Sequence, residues 1–230
     1  MAPLLYKIDP SPPSNAVRVL ADMIGLELDF KDIDFARKGH KDPEYMKINP
    51  MGTLPTLTDG DFVITDSHAI LKYLLSKYGG DKSESLYPSD LRTRTLVDQC
   101  MFFDTGIFFI KMKMVVLPTL FGDMSEPPQH KIDMAYSVLE TFLSRAGGYV
   151  AAPHLTLADI SLAATAASLQ PLHKLDAARF PLTSAWLVKL LELPSFKKIL
   201  VPGVEMVSHI LNTYWNNIFS IFIIKCSLYS

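Results

Sequence analysis

The chain is poor in cysteine: Cys100 and Cys226 are the only two in 230 residues. With no CxxC pair and no Cys/His cluster, the sequence offers neither a disulfide framework nor a zinc site. The six histidines (His40, His68, His130, His154, His173 and His209) fall at no ligand spacing such as HExxH, and no metal is expected. Basic charge is also scarce. The 22 Lys and Arg against 24 Asp and Glu leave a formal net charge of −2. Nothing is left over to neutralise a phosphate backbone, which argues against nucleic acid as a partner. The N-terminus lacks the basic, apolar and small-residue regions of a signal peptide, so a cytoplasmic location is expected. No stretch reaches the roughly 20 apolar residues that span a bilayer, and no membrane association is expected. The greasiest segment, Ile218-Phe219-Ser220-Ile221-Phe222-Ile223-Ile224, shows no helical periodicity. It reads as an apolar tail, residues 216–230, that covers a groove or stands apart from the fold.

What is present is core material. Hydrophobic residues make up 49% of the chain and charged residues 20%, enough to build a sizeable interior. Pro3 to Ile8 is a short apolar run of the kind found in buried strands. Val17, Leu20, Ala21 and Ile24 repeat at helical spacing, and Gly25 follows as a stop. Leu28, Phe30, Ile33 and Phe35 suggest a second strand. Leu54-Pro55-Thr56-Leu57 and Phe62-Val63-Ile64 flank Asp59-Gly60, a strong hairpin turn. Asp66 or Ser67 then caps a helix with Ile70, Tyr73, Leu74 and Tyr78 on one face. Residues 1–80 therefore predict a βαβ unit followed by ββα, in one sheet with helices packed on it. Residues 81–88 read as a linker. From 89 to 215 only helical patterns persist, with breaks at Pro118, Pro127-Pro128, Pro153, Pro171, Pro181 and Pro194, so this part is an all-α domain.

A small α/β unit ahead of an all-helical domain resembles the cytosolic glutathione transferase superfamily, and four motifs sharpen the likeness. Leu5-Tyr6 with Ser11-Pro12-Pro13 is similar to the strand-to-helix turn of the insect delta and epsilon classes. Ile48-Asn49-Pro50 through Leu54-Pro55-Thr56-Leu57 resembles their Asn-Pro to Val-Pro-Thr-Leu segment. Asp66-Ser67-His68-Ala69-Ile70 resembles the epsilon Asp-Ser-His-Ala-Ile. Thr156-Leu157-Ala158-Asp159 resembles the late capping box of the family. The landmarks occur in the family's order over about residues 3 to 200. The resemblance implies a thioredoxin-like N-terminal domain, glutathione as co-substrate, a hydrophobic small molecule as second substrate, and a homodimer.

A free thiol with a pKa near 8.5 is mostly protonated at neutral pH, and the thiolate is the nucleophile. A hydroxyl that donates to sulfur lowers that pKa, and so does the positive end of a helix. Ser11 stands just before the first helix. By position alone it is a helix cap followed by Pro12; the resemblance makes it the residue that stabilises the glutathione thiolate. Leu54 and Pro55 are implied to pair with the cysteinyl backbone of glutathione, with Pro55 cis. Taken alone, Pro55 is equally a trans proline on an edge strand. Asp66 and Ser67 open a helix, whose N–H groups suit the γ-glutamyl carboxylate, while Asp66 suits its ammonium. Taken alone they are a plain cap. His68 adds a polar contact, and His40 is implied at the glycyl carboxylate.

Thr156 and Asp159 form a capping box and are read as structural. For the second substrate the implied pocket residues are Pro13, Phe35, Phe108, Met112, Phe121 and Tyr214; the same residues at helical spacing would also suit a core or an interface. No carboxylate lies between Asp104 and Asp123, so this helix is not expected to offer an acidic grip.

Two positions depart from the family pattern. Ser14-Asn15 follows the Ser-Pro-Pro motif where X-Arg is usual. Met51-Gly52 stands where Gln-His is usual, which predicts a weakened grip on the glycyl end that a histidine at position 52 would restore. The leading function is conjugation of glutathione to hydrophobic electrophiles. The alternative is a transferase-like carrier of hydrophobic ligands. A thiol–disulfide oxidoreductase is disfavoured because no cysteine stands near Ser11.

Overall fold

The structure is a computed structural model that describes residues 2–121 and 129–228, with side chains described for 2–116, 130–211 and 213. The N-terminal part runs β1 (Leu4–Lys7), α1 (Pro12–Ile24), β2 (Asp29–Asp32), α2 (Pro43–Ile48), β3 (Thr56–Asp59), β4 (Phe62–Thr65) and α3 (Ser67–Tyr78). A single turn of 3₁₀ helix at Gly39–Lys41 precedes α2. The strand order is β2-β1-β3-β4. β1 and β2 are parallel, and the other two pairings are antiparallel. This is the predicted βαβ-ββα sheet.

Local chemistry explains the elements. Gly25 ends α1 in the left-handed conformation at φ 71°, and the Leu26 N–H reaches back to the Ala21 carbonyl. Gly60, at φ 65°, makes the β3–β4 turn. The Asp66 carboxylate caps α3 through Oδ1, accepting from the N–H groups of His68 at 2.9 Å and Ala69 at 3.2 Å. Leu5 on β1 faces Leu57 on β3 across the sheet, and both are fully buried under α1 and α3. On the opposite face Tyr6, Ile33 and Tyr45 form a small second cluster, packed by Leu54.

The helical part comprises α4 (Lys82–Leu86), α5 (Leu91–Phe103), α6 (Phe109–Phe121), α7 (Gln129–Ala146), α8 (Leu157–Leu169), α9 (Pro181–Leu191) and α10 (Pro194–Leu228). The short α4 lies where a linker was read. Pro181 and Pro194 do start helices, but α6 runs past Pro118 to Phe121, where a break was predicted. Likewise α10 contains Pro202. Proline disfavours a helix interior by about 3 kcal/mol without forbidding it. The backbone of α10 stays helical to Leu228, so the apolar tail from 216 onward continues a helix despite its lack of periodicity. Pro127-Pro128 lies outside the described residues. Among the described residues, no helix is long and apolar enough to cross a membrane.

Almost every residue of α8 is buried. Its alanines (Ala158, Ala163, Ala164, Ala166 and Ala167) let neighbours approach closely, and α1, α5, α9 and α10 all pack on it. One hydrophobic core therefore runs from Leu5 and Val17 through Ile70 and Leu74 to Met101, Leu162 and Trp186.

The buried Asp159 ties this core to its loops. Its carboxylate accepts from the N–H of Thr156 at 2.9 Å, the N–H of Val150 at 3.0 Å and the indole N–H of Trp186 at 2.9 Å. The structural reading of the capping box is the one observed. Replacing Asp159 with alanine strands three buried donors, each costing roughly 1–3 kcal/mol. Asp159→Ala should therefore lose about 3 kcal/mol or more, read as an earlier midpoint in urea denaturation; an unchanged midpoint would contradict it.

Candidate functional site

A cleft of about 210 Å³ opens where the two parts of the chain meet. One wall is the start of α1, with Pro13 and Ala16. A second is the loop and strand entry at Met51, Thr53, Leu54 and Pro55. A third is the N-terminus of α3, with Asp66, Ser67 and His68. The helical part closes it with Asp104, Thr105, Phe109, Ser161 and Thr165.

Each wall is held by its own chemistry. Pro12 and Pro13 occupy the first two positions of α1 and carry no N–H, so Ser11 has no proline amide to cap. Its hydroxyl indeed makes no cap bond, and Ser11 is half-buried at the end of the helix beside Pro13. Ser11 itself is not one of the wall residues. The Leu54–Pro55 peptide is cis, and Leu54 precedes the first paired residue of β3, Thr56. The loop before it is pinned from beneath. Buried Asn49 donates through Nδ2 to the Thr53 carbonyl at 2.8 Å and to Thr56 Oγ1 at 3.0 Å. The Tyr45 hydroxyl donates to the same carbonyl at 2.6 Å. Burial raises the pKa of that phenol, so it stays protonated and can donate.

At α3 the backbone of Asp66 sits at φ 75° and ψ 120°, an unusual conformation for a residue with a side chain. Its Oδ1 is engaged as the cap, and Oδ2 enters none of those cap bonds. The next residues form a polar chain. The Ser67 hydroxyl lies 3.3 Å from His68 Nδ1, His68 Nε2 is 3.0 Å from Asp104 Oδ2, and Thr165 Oγ1 donates to Asp104 Oδ1 at 2.8 Å. Asp104 is 2% exposed and lies on a π-helical turn, Asp104–Phe108, that joins α5 to α6. Such wide turns recur at functional sites because they re-aim side chains.

The structure brings Pro13, Leu54, Pro55, Asp66, Ser67 and His68 together in one cleft. Other predicted positions lie elsewhere. Phe108 is fully buried, packed on Phe103 and Tyr136, and Met112 is also core. The π turn accounts for the error. Its extra residue rotates the face, so Phe109 rather than Phe108 lines the cleft. Phe35 stacks flat on His40, with ring centroids 3.9 Å apart, and neither lines the cleft. The side chains of Phe121 and Tyr214 lie outside the described residues. Asp104, Thr105 and Thr165 were not predicted. Asp104 lines the cleft from the π turn ahead of α6, with its two oxygens engaged by His68 and Thr165; in the sequence it stands two residues before Gly106.

A four-stranded sheet domain joined to a helical domain, with a cleft of mixed polar and apolar lining between them, is the architecture that the resemblance to glutathione transferases implies. The comparisons agree. The glutathione S-transferase N-terminal domain matches residues 2–76. Glutathione S-transferase 1 of Manduca sexta is 35% identical over 90% of this chain and 95% of its own length. An epsilon-class glutathione S-transferase of the housefly, Musca domestica, is 38% identical with a TM-score of 0.85, covering 92% of this chain and 97% of that one. A glutathione transferase homologue from Drosophila mojavensis, solved with bound glutathione, is 40% identical with a TM-score of 0.83, again covering 92% and 97%. The chain belongs to the glutathione transferase family and is a glutathione transferase of the insect delta and epsilon type.

The glycyl end needs a correction. Gly52 has φ 57°, and a Cβ built there would lie 2.7 Å from the His40 carbonyl oxygen and 2.8 Å from Met46 Sδ. A histidine would strain the backbone by about 1–2 kcal/mol and crowd the loop. Gly52→His should therefore lower the thermal midpoint and give no gain in glutathione affinity; a variant that is both as stable and tighter-binding would overturn this.

Proposed function

We propose that this transferase conjugates the thiolate of reduced glutathione to hydrophobic electrophiles, with Ser11 stabilising the thiolate. The observation that carries the reading is the uncommitted Ser11 hydroxyl at the start of α1, next to the cleft that Leu54, cis-Pro55, Asp66 and Ser67 share. A zwitterionic γ-glutamyl group needs both an anionic acceptor and donors. Asp66 Oδ2, the Ser67 hydroxyl and the start of α3 offer that pair. The Ser67 hydroxyl is held only loosely by His68, at 3.3 Å, and can turn to a ligand carboxylate. The backbone of Leu54 stands free of the sheet ladder to meet the cysteinyl unit.

In this arrangement the Ser11 O–H donates to sulfur. Pro12 and Pro13 remove two of the N–H groups that a helix start usually offers, so the hydroxyl carries more of the burden than the helix end does. The thiol proton leaves to solvent, sulfur attacks the electrophilic carbon, and the leaving group departs with its bonding electrons. Pro13, Thr105 and Phe109 offer the apolar side on which the electrophile rests. Exposed Phe62, Val63, Leu91 and Phe102 supply an apolar surface for pairing two copies.

The test is steady-state turnover of chlorodinitrobenzene with glutathione, across pH, for wild type and Ser11→Ala. A hydrogen bond to a charged group is worth about 1.5–3 kcal/mol, or roughly 10- to 100-fold in rate. Ser11→Ala should lose about that much at pH 7 while still binding glutathione. The deficit should shrink as the pH passes about 8.5, where the free thiol ionises unaided. Equal turnover at pH 7 would reject the role of Ser11. Glutathione binding with no turnover in the wild type would leave a carrier instead.

A further inference from the structure

The turn that carries Ser11 is poor in backbone donors, because Pro10, Pro12 and Pro13 around it bring no N–H. The Ser11 N–H reaches the Ile8 carbonyl at 3.0 Å, and the Asn15 N–H donates to the Ser11 carbonyl at 2.9 Å. Side chains hold the corner at Asp9. Its Oδ2 accepts from Lys7 Nζ, at the end of β1, at 2.6 Å. Its Oδ1 accepts from Arg18 Nη1, on the second turn of α1. Lys7 also meets Asp32 at 2.6 Å. The Phe30 ring covers both cations, its centroid 5.7 Å from Lys7 Nζ and 5.8 Å from Arg18 Cζ.

The departure at position 15 belongs to the same network. Asn15 stands where an arginine is usual and is 2% exposed. Its Oδ1 accepts from Arg18 Nη1 at 3.0 Å. On its other side α10 closes in: a Cβ on Gly203 would stand 2.8 Å from Asn15 Nδ2. Asn15 is thus backed by α10 and aims the Arg18 guanidinium at Asp9.

We infer that Arg18 is a positioning residue for the reaction: steered by Asn15, it clamps Asp9 and so holds the Ser11 hydroxyl in place against the glutathione sulfur. It supplies from the next helical turn the guanidinium that position 15 lacks. The role rests on Ser11 stabilising the thiolate. Arg18 does not line the cleft, and acts only through the turn. A charge-assisted hydrogen bond weakens steeply as its distance and angle slip, so a loosened turn costs thiolate rather than glutathione binding. A bare field effect behaves differently. Loss of the positive Arg18 would then raise the pKa of the bound thiol, and loss of the negative Asp9 would lower it. A clamp requires both losses to raise it.

The test is a pH titration of the thiolate absorption band of bound glutathione, paired with steady-state turnover. Arg18→Met and Asp9→Asn should each raise the pKa of the bound thiol by roughly half a unit to one unit, which lowers turnover at pH 7 by about three- to tenfold. The KM for glutathione should change little. Arg18→Lys keeps the charge and should recover most of the loss. In a Ser11→Ala background, Arg18→Met should add no further shift. Arg179→Met controls for lost stability: it breaks a like pair, with Asp133 at 2.6 Å, whose residues do not line the cleft, and its thiol pKa should match wild type. A wild-type pKa in Arg18→Met overturns the clamp. So does a lowered pKa in Asp9→Asn, a further rise when Arg18→Met is added to Ser11→Ala, or an equal shift in Arg179→Met. A wild-type pKa in Ser11→Ala overturns the reading of Ser11 itself, and the clamp with it.

Discussion

The cleft exists because one buried carboxylate joins the two parts of the chain. Asp104 meets His68 from α3 on one side and Thr165 from α8 on the other. Without partners a buried carboxylate would cost several kcal/mol; with them it becomes a joint between sheet domain and helical core. The joint sits at the floor of the cleft, so the N-terminus of α3 is held in register against α8. Packing of α1 on the same helix sets the third wall. Alanine-rich α8 is thus the common backing for the turn that carries Ser11 and for the helix start that carries Ser67.

The polar groups around the cleft divide into those spent on the fold and those left over. Asn49, Tyr45 and Thr56 are consumed in holding the 49–56 loop, and Asp159 is consumed in holding α8. By contrast, among the described residues, the Ser11 hydroxyl and the second oxygen of Asp66 carry none of the fold's capping bonds. A donor beside the cleft and an acceptor in its wall remain available, and an extended peptide with a thiol in its middle offers complementary groups.

Much of this was legible in the residues. The Asp59-Gly60 turn, the Gly25 stop and the Asp66 cap were read from local chemistry, because turns and caps depend on the residue at one position. Ser67 and Pro55 followed from motif order. What stayed hidden depended on register or on distant partners. The resemblance implied Phe108 as a pocket residue, yet its ring is buried on Phe103 and Tyr136, and Phe109, just past the π turn at Asp104–Phe108, lines the cleft instead. Asp104 looked like one more helix residue, since its partners stand 36 and 61 positions away. Gly52 looked like a gap, yet its left-handed backbone and the nearby Lys41 show a loop built around glycine.

The role proposed for Ser11 has one chemical consequence, a glutathione thiol that ionises more readily in the cleft than in water. The direct measurement is a pH titration of the thiolate absorption band of glutathione bound to the wild-type enzyme, against free glutathione in the same buffer. The account predicts an apparent pKa at least one unit below the free thiol's value near 8.5, worth about 1.4 kcal/mol or more. A bound thiol that titrates at the free value would contradict it.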